Sequence, residues 1–352
     1  MYKRIIVVAV LFCYCLSGIA QIRTIDSIIK EEMEQQHIPG LALGIVKDGK
    51  IIVSKGYGFA YLKDGIPVTE NTVFKIGSLS KQFIATCILA LAEQGKLSLS
   101  DHIHKYLKDA PEEWQNITIR NLLNHTSGIE RESPAFDWMK RQPDSVVIRA
   151  VYKDDLRFPT GTKWEYSNMG YFILADIIRQ VTGQSFEDYM NNFFPANGLT
   201  HMTTTTKSKG IVKAKGYNYN KESGKTSEAI DFIALRPSGA FSAPVTDMIK
   251  WDSIQQGSTI LTRQDWAKMY EDTVIERVAA NGKASYYGYG WEVTPYKGHR
   301  LVHHNGSTRG FTTEYWKFID DKLSIIILTN ANEVGLGKVA RHVYDTLGTD
   351  LK

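Results

Sequence analysis

The sequence predicts an α/β fold in which one sheet is built from the two ends of the chain and a mostly helical region is inserted between them. Strand-like runs cluster near the start, at 41–62, and again near the end, at 288–328. The segments between carry apolar residues at helical spacing. Asp48-Gly49 and Asp320-Asp321 punctuate the strand-like runs as turns. Strands at both termini with helices between them fit a sheet covered by helices.

In chain order, Thr24–Gln36 reads as an amphipathic helix with Ile25, Ile28, Ile29 and Met33 on one face, ended by Pro39-Gly40. Leu41–Lys47 and Lys50–Lys55 flank Asp48-Gly49 as a hairpin, which Gly56–Leu62 extends. Val73–Ile76 leads into Ser78, and the apolar run Gln82–Ala92 reads as a helix buried inside the domain. Asp101–Leu107, Ile117–Leu123, Asp144–Val151, Tyr171–Thr182 and Phe186–Phe194 read as further helices, and Lys207–Lys225 as a polar surface excursion. Gly288–Thr294, Leu301–His304, Thr312–Ile319 and Leu323–Leu328 read as strands, and Val334–Leu347 as a closing helix. The expected organisation is one catalytic unit over 21–347. Its α/β part takes about 21–80 and 285–347, its helical insert about 81–284, and a tail follows at 348–352.

A length of 352 residues can bury a sizeable core. The net charge of +4 is small for this size and no dense Lys/Arg run occurs, so nucleic acid is not an expected partner. Met1-Tyr2-Lys3-Arg4, the apolar run Ile5–Leu16 and Ser17-Gly18-Ile19-Ala20 form a secretory signal pattern with cleavage expected after Ala20. The expectation is an exported protein, periplasmic or secreted, with no stable membrane insertion after cleavage; a retained anchor is the competing reading. Cys13 and Cys15 fall in the leader, so the mature chain keeps only Cys87 and forms no internal disulfide. Oligomeric state is not legible.

The chemistry centres on Phe74-Lys75-Ile76-Gly77-Ser78-Leu79-Ser80-Lys81. A Ser and a Lys three residues apart share one helix face, which places an amine where it can take a hydroxyl proton. Burial and the positive helix end both push Lys81 toward the neutral form a base needs. Ser27-x-x-Lys30 repeats the spacing, in a polar amphipathic segment with no such setting. In Tyr166-Ser167-Asn168 the loop enters a helix, which lets Tyr166 shuttle a proton and Asn168 contact a substrate carbonyl. Tyr189-Met190-Asn191 repeats that spacing inside a helix, where packing is the expected role. His304-Asn305-Gly306-Ser307 lies at a strand end, where the backbone N–H of Ser307 can pair with that of Ser78 as an oxyanion hole. His303 should face the other side of that strand. His102 and His104 read as a surface pair and His125 as structural; no metal and no cofactor is expected.

Ser78-Leu79-Ser80-Lys81, then Tyr166-Ser167-Asn168, then His304-Asn305-Gly306 resembles, in order, the three motifs of the serine β-lactamase and penicillin-binding protein superfamily, in its class C-related branch. Thr118–Gly128 and Pro159–Tyr171 resemble that branch closely, Pro237–Trp251 and Tyr287–Trp291 more loosely, and the likeness spans about 25–347. It implies a β-lactamase/transpeptidase-like fold with an antiparallel sheet. It further implies Ser78 as the acylated nucleophile, Lys81 as its base, Tyr166 as proton relay, and Asn168 as the group that positions the substrate amide. His304 takes the place of the third-motif lysine, and the N–H groups of Ser78 and Ser307 form the oxyanion hole.

Two departures bear on substrate. His304 replaces a permanent cation, and Asn305 replaces the usual hydroxyl, so recognition of a substrate carboxylate is weakened. The leading expectation is an exported serine hydrolase acting through an acyl-enzyme on an ester or amide of a small molecule or peptide, of the D-peptidase, D-aminopeptidase or esterase kind. A class C-type β-lactamase and a non-catalytic binding module are the alternatives.

Overall fold

The computed structural model describes residues 21–134, 137, 140, 142–204, 212–231, 236–239 and 241–348. The expected leader and the last four residues of the tail lie outside them. Helix α1 covers 21–35. Strands β1 (Gly40–Lys47) and β2 (Lys50–Tyr61) form the expected hairpin, with Asp48 and Gly49 both at positive φ, as a tight turn between twisted strands demands. Then come β3 (Ile66–Pro67), β4 (Phe74–Lys75) and α2 (Ser80–Glu93). The inserted region holds α3 (Ile119–Leu123), α4 (Asp144–Val151), α5 (Asn168–Thr182), α6 (Phe186–Ala196), β5 (Thr203–Thr204), β6 (Tyr217–Asn220), β7 (Lys225–Glu228), α7 (Arg236–Gly239), β8 (Phe241–Ala243), α8 (Val245–Ile254) and α9 (Arg263–Glu271). The chain closes with β9 (Val274–Val278), β10 (Ala284–Tyr287), β11 (Glu292–Tyr296), β12 (His299–Thr308), β13 (Phe311–Phe318), β14 (Leu323–Thr329) and α10 (Leu336–Gly348).

The main sheet is antiparallel, in the order β3-β2-β1-β14-β13-β12-β11-β10-β9, so the two ends of the chain meet where β1 pairs with β14. Leu41–Val46 and Ile325–Leu328 are buried throughout because helices cover both faces there. On one face Ile25 and Ile29 of α1 and Val339 and Val343 of α10 pack on Leu43, Ile45, Ile325 and Ile327. On the other, Phe83 and Ile84 of α2 and Ile249 of α8 share a core with Ala42, Val302, Tyr315 and Ile326. A polar knot ties α8 to that face. The buried Asp252 Oδ1 accepts from Tyr315 Oη at 2.5 Å and Ser324 Oγ at 2.7 Å, with Lys317 Nζ at 3.2 Å. Burial alone would raise the Asp252 carboxyl pKa; Lys317 and the hydroxyls outweigh it and hold it low.

Several expectations are corrected. Asp101–Leu107 forms only a single 3-10 turn at Ile103–Lys105. Lys207–Lys225 is not a plain excursion: residues 205–211 lie outside the described residues, but Tyr217–Asn220 pairs with Lys225–Glu228 as a hairpin. Gly288–Trp291 is a tight turn, closed by Gly288 N–H on the Trp291 carbonyl at 2.8 Å, so that strand starts at Glu292. The main sheet resumes at Val274 rather than 285, because β9 and β10 pair as its outer edge, and β5 and β8 of the insert join β4 in a small sheet of order β4-β8-β5.

Candidate active site

Ser78 stands where two layers touch. Before it, β4 pairs with β8, Ile76 N–H donates to the Phe241 carbonyl at 2.9 Å, and Thr313 Oγ1 donates to the Ile76 carbonyl at 2.9 Å. Gly77 then takes φ +55, and a Cβ there would come within 2.7 Å of the Ser307 nitrogen. Gly306 answers from β12: a Cβ on it would meet the Ile76 carbonyl oxygen at 2.1 Å. The two glycines therefore let the segment carrying Ser78 lie directly on the segment carrying Ser307. Gly77–Leu79 makes a 3-10 turn that opens α2. Ser80 is excluded as the nucleophile, since its Oγ donates to the Gly77 carbonyl at 2.7 Å and accepts from Phe241 N–H at 3.1 Å in the core.

Lys81 is fully buried, with Nζ 3.3 Å from Ser78 Oγ and 2.8 Å from Asn168 Oδ1. Burial, then the nearby Arg131 guanidinium, push its pKa well below the ordinary lysine value, while Glu132 opposes them. The same nitrogen lies 4.7 Å from the Tyr166 ring centre. Tyr166 Oη is buried and makes no hydrogen bond among the described residues. Burial raises its pKa, and the neighbouring Ser78 hydroxyl and Arg131 offset part of that rise. A neutral lysine is thus the better base for Ser78, and Tyr166 stays protonated.

Ser167 caps α5: its Oγ accepts from Gly170 N–H at 2.9 Å and donates to the Glu130 carbonyl at 2.8 Å. That cap turns Asn168 inward, where Nδ2 donates to Glu132 Oε1 at 3.2 Å. Glu132 and Arg131 are exposed at the mouth, Arg131 lying 5.1 Å from the Tyr166 ring centre.

His304 is in the same cluster but not as a surface cation. It is buried, with Nδ1 2.6 Å from the Asn305 carbonyl and Nε2 3.0 Å from Tyr287 Oη. A carbonyl only accepts, so Nδ1 carries the proton and Nε2 accepts from Tyr287. Burial above all pushes its pKa down to about 3. His303 faces the other side, as expected, beside Thr294 and Glu292. Strand β11 pairs with β12 only as far as His303, while β13 continues to Thr308, so no described strand pairs with 304–308 on the β11 side. Asn305 and Ser307 are exposed along that free edge.

The structure therefore brings Ser78, Lys81, Tyr166, Asn168, His304, Gly306 and Ser307 together. The second copies of the motifs fall elsewhere, Ser27 in α1 and Tyr189 in α6. Sequence reasoning gave no role to Tyr287, Glu132 or Arg131, and left His125 as structural. The only signal for them was proximity to the motifs, because contacts across separate strands leave no local spacing.

Behind His304, on the opposite face of β12, sit Glu292 and Glu314. Burial, with Glu276 and Glu314 as neighbours, pushes Glu292 up to about 8, and burial pushes Glu314 up to about 7. Both folded values lie above the unfolded carboxyl value of about 4.3. Their stabilisation is present in full below that value and is lost as pH rises through about 7 to 8. The melting temperature should be several degrees higher at about pH 6 than at about pH 8.5, and Glu292→Gln should flatten the difference. An unchanged slope in that variant would remove Glu292 from the account.

A family model described as Beta-lactamase matches residues 25–347. The chain is 30% identical over 337 residues to the putative penicillin-binding protein PbpX of Bacillus subtilis (strain 168), covering 94% of this chain and 81% of that one. It is 28% identical over 329 residues to protein flp of Staphylococcus aureus (strain N315), covering 91% of this chain; the chain spans only 65% of that relative's length. Among solved structures it superposes on an octameric penicillin-binding protein homologue from Pyrococcus abyssi with TM-score 0.83 and 25% identity, covering 93% of this chain and 77% of that one. It superposes on D-amino acid amidase from Ochrobactrum anthropi SV3 with TM-score 0.82 and 18% identity, covering 94% and 99%, a likeness of fold. With the Ser–Lys pair in place under an antiparallel sheet, and the family model matched over nearly all the described chain, the chain belongs to the β-lactamase and penicillin-binding protein family.

Proposed function

We propose that this is an exported hydrolase that forms an acyl-enzyme on Ser78 and cleaves an ester or amide bond of a D-aminoacyl small molecule or peptide. The observation that carries the reading is the buried Lys81 amine, its pKa pushed down by burial, held between Ser78 Oγ and Asn168 Oδ1. Lys81 takes the Ser78 proton as Oγ attacks the carbonyl carbon. The resulting oxyanion lies against the backbone N–H groups of Ser78 and Ser307. Tyr166 gives its hydroxyl proton to the leaving oxygen or nitrogen as the bond breaks, and the Lys81 ammonium restores it. Water then attacks the acyl-enzyme, the same groups run in reverse, and Ser78 Oγ leaves with its proton.

The site chemistry supports a particular kind of substrate. His304 is neutral and both its nitrogens are engaged, so the third-motif position offers no cation to a leaving-group carboxylate. Glu132 places an exposed carboxylate beside Asn168, which suits a substrate amine. The free edge at 304–308 suits an extended peptide or amide backbone. D-amino acid amidase among the structural neighbours agrees with that class. Export rests on the signal pattern of residues 1–20.

Intact mass spectrometry after mixing with a fluorophosphonate and, separately, with a penicillin tests the reading, with Ser78→Ala as control. A fluorophosphonate adduct on Ser78, together with turnover of a D-alanyl p-nitroanilide, is the expected result. A persistent penicillin adduct would move the substrate toward a carboxylate-bearing D-peptide, and rapid β-lactam turnover toward a β-lactamase. No adduct from either reagent would overturn the acyl-enzyme reading in favour of a binding module.

A further inference from the structure

The loop that carries Tyr166 is gripped from one residue. The His125 carbonyl accepts from Glu165 N–H at 3.0 Å, and His125 Nδ1 accepts from Ser167 N–H at 3.1 Å. The two backbone amides that flank Tyr166 are therefore both held by His125. Its ring lies on the Tyr166 ring, with centres 4.3 Å apart, and touches Tyr287 at 4.6 Å and Tyr171 at 5.2 Å. Tyr287 is also the residue that binds His304. His125 itself sits at φ +61, the left-handed region, which turns its carbonyl and its ring toward the same loop. That conformation costs a non-glycine residue free energy, and Asn, Asp and His are the side chains that tolerate it best.

Because Nδ1 accepts, the imidazole proton sits on Nε2, and Nε2 is buried without a partner among the described residues. From these contacts we infer that His125 is a positioning residue for the proton-transfer step, fixing the Tyr166 ring and hydroxyl toward Ser78 and the leaving group. The charged and titratable groups that face it are Lys81, Arg131, His304, Tyr166, Tyr171 and Tyr287. Burial above all keeps the imidazole neutral, so it adds no positive charge that would oppose protonation of Lys81 during the reaction.

The inference rests on the acyl-enzyme reading of the site, and the test separates the two. His125→Asn keeps a residue suited to positive φ and an acceptor near the place of Nδ1, but removes the ring. Turnover of an activated ester would be measured between about pH 5 and 9 in the wild type, His125→Asn, Tyr166→Phe and the double variant, with melting temperatures alongside. A displacement of roughly 1 Å at a reacting group costs about 10²-fold, so kcat of His125→Asn should fall about 10- to 100-fold while KM stays within about 3-fold. Its kcat/KM profile should shift on the limb that reports Tyr166 and Lys81. Adding His125→Asn to Tyr166→Phe should cost little more, because the histidine acts through the tyrosine. If His125→Asn melts normally and keeps wild-type kcat, or if the two losses multiply, His125 is only structural and the inference falls. If Ser78→Ala retains wild-type turnover, the acyl-enzyme reading fails, and the inference with it.

Discussion

Replacing Ser78 with alanine should remove about 10⁴- to 10⁶-fold of kcat on any ester or amide that the wild type turns over, and Lys81→Met should cost nearly as much. The reason is the 3.3 Å contact between Lys81 Nζ and Ser78 Oγ. A serine hydroxyl is a weak nucleophile until a base takes its proton, and a base without the hydroxyl has nothing to activate. The two losses should therefore not add: the double variant should be no slower than the worse single one. Steady-state kinetics of the three variants check this. Two effects that multiply would mean that Lys81 acts on some other group. Its 2.8 Å bond to Asn168 Oδ1 names the group to examine next.

The largest stability effect should come from Asp252→Ala. That carboxylate is fully buried and meets Lys317, Tyr315 and Ser324 across the junction of α8, β13 and β14. Removing it leaves the Lys317 ammonium buried with its ion-pair partner gone, a change that costs about 3–5 kcal/mol. Urea unfolding should show that loss, with the midpoint falling and the slope unchanged. Adding Lys317→Met should restore much of it, since replacing a whole buried pair by apolar groups is close to neutral. A loss under about 1 kcal/mol would show that water reaches the site and solvates the lysine.

Much of the site was legible because its chemistry is local in sequence. A Ser and a Lys three residues apart meet on one helix turn whatever else the chain does, and the buried run that follows marks a helix inside the core. Asp48-Gly49 determined the β1–β2 turn for the same reason, since only its two residues must reach positive φ. The order of the three motifs and the sheet drawn from both termini were also readable, and the structure places Ser78, Lys81, Tyr166, Asn168 and His304 in one cluster. What the sequence could not determine depends on distance through space. The Gly288–Trp291 turn looked like strand because its residues are apolar and aromatic, and only the pairing of Tyr287 with Glu292 shows the chain reversing there. The neutrality of His304 follows from burial and from Tyr287, which arrives on a different strand. The grip of His125 on Tyr166 joins residues far apart in the chain, and their backbone amides carry no sequence signature. Residue identity determined which groups could do chemistry; tertiary packing decided which of them are charged and which are held in place, because both depend on desolvation and on partners brought in from elsewhere in the fold.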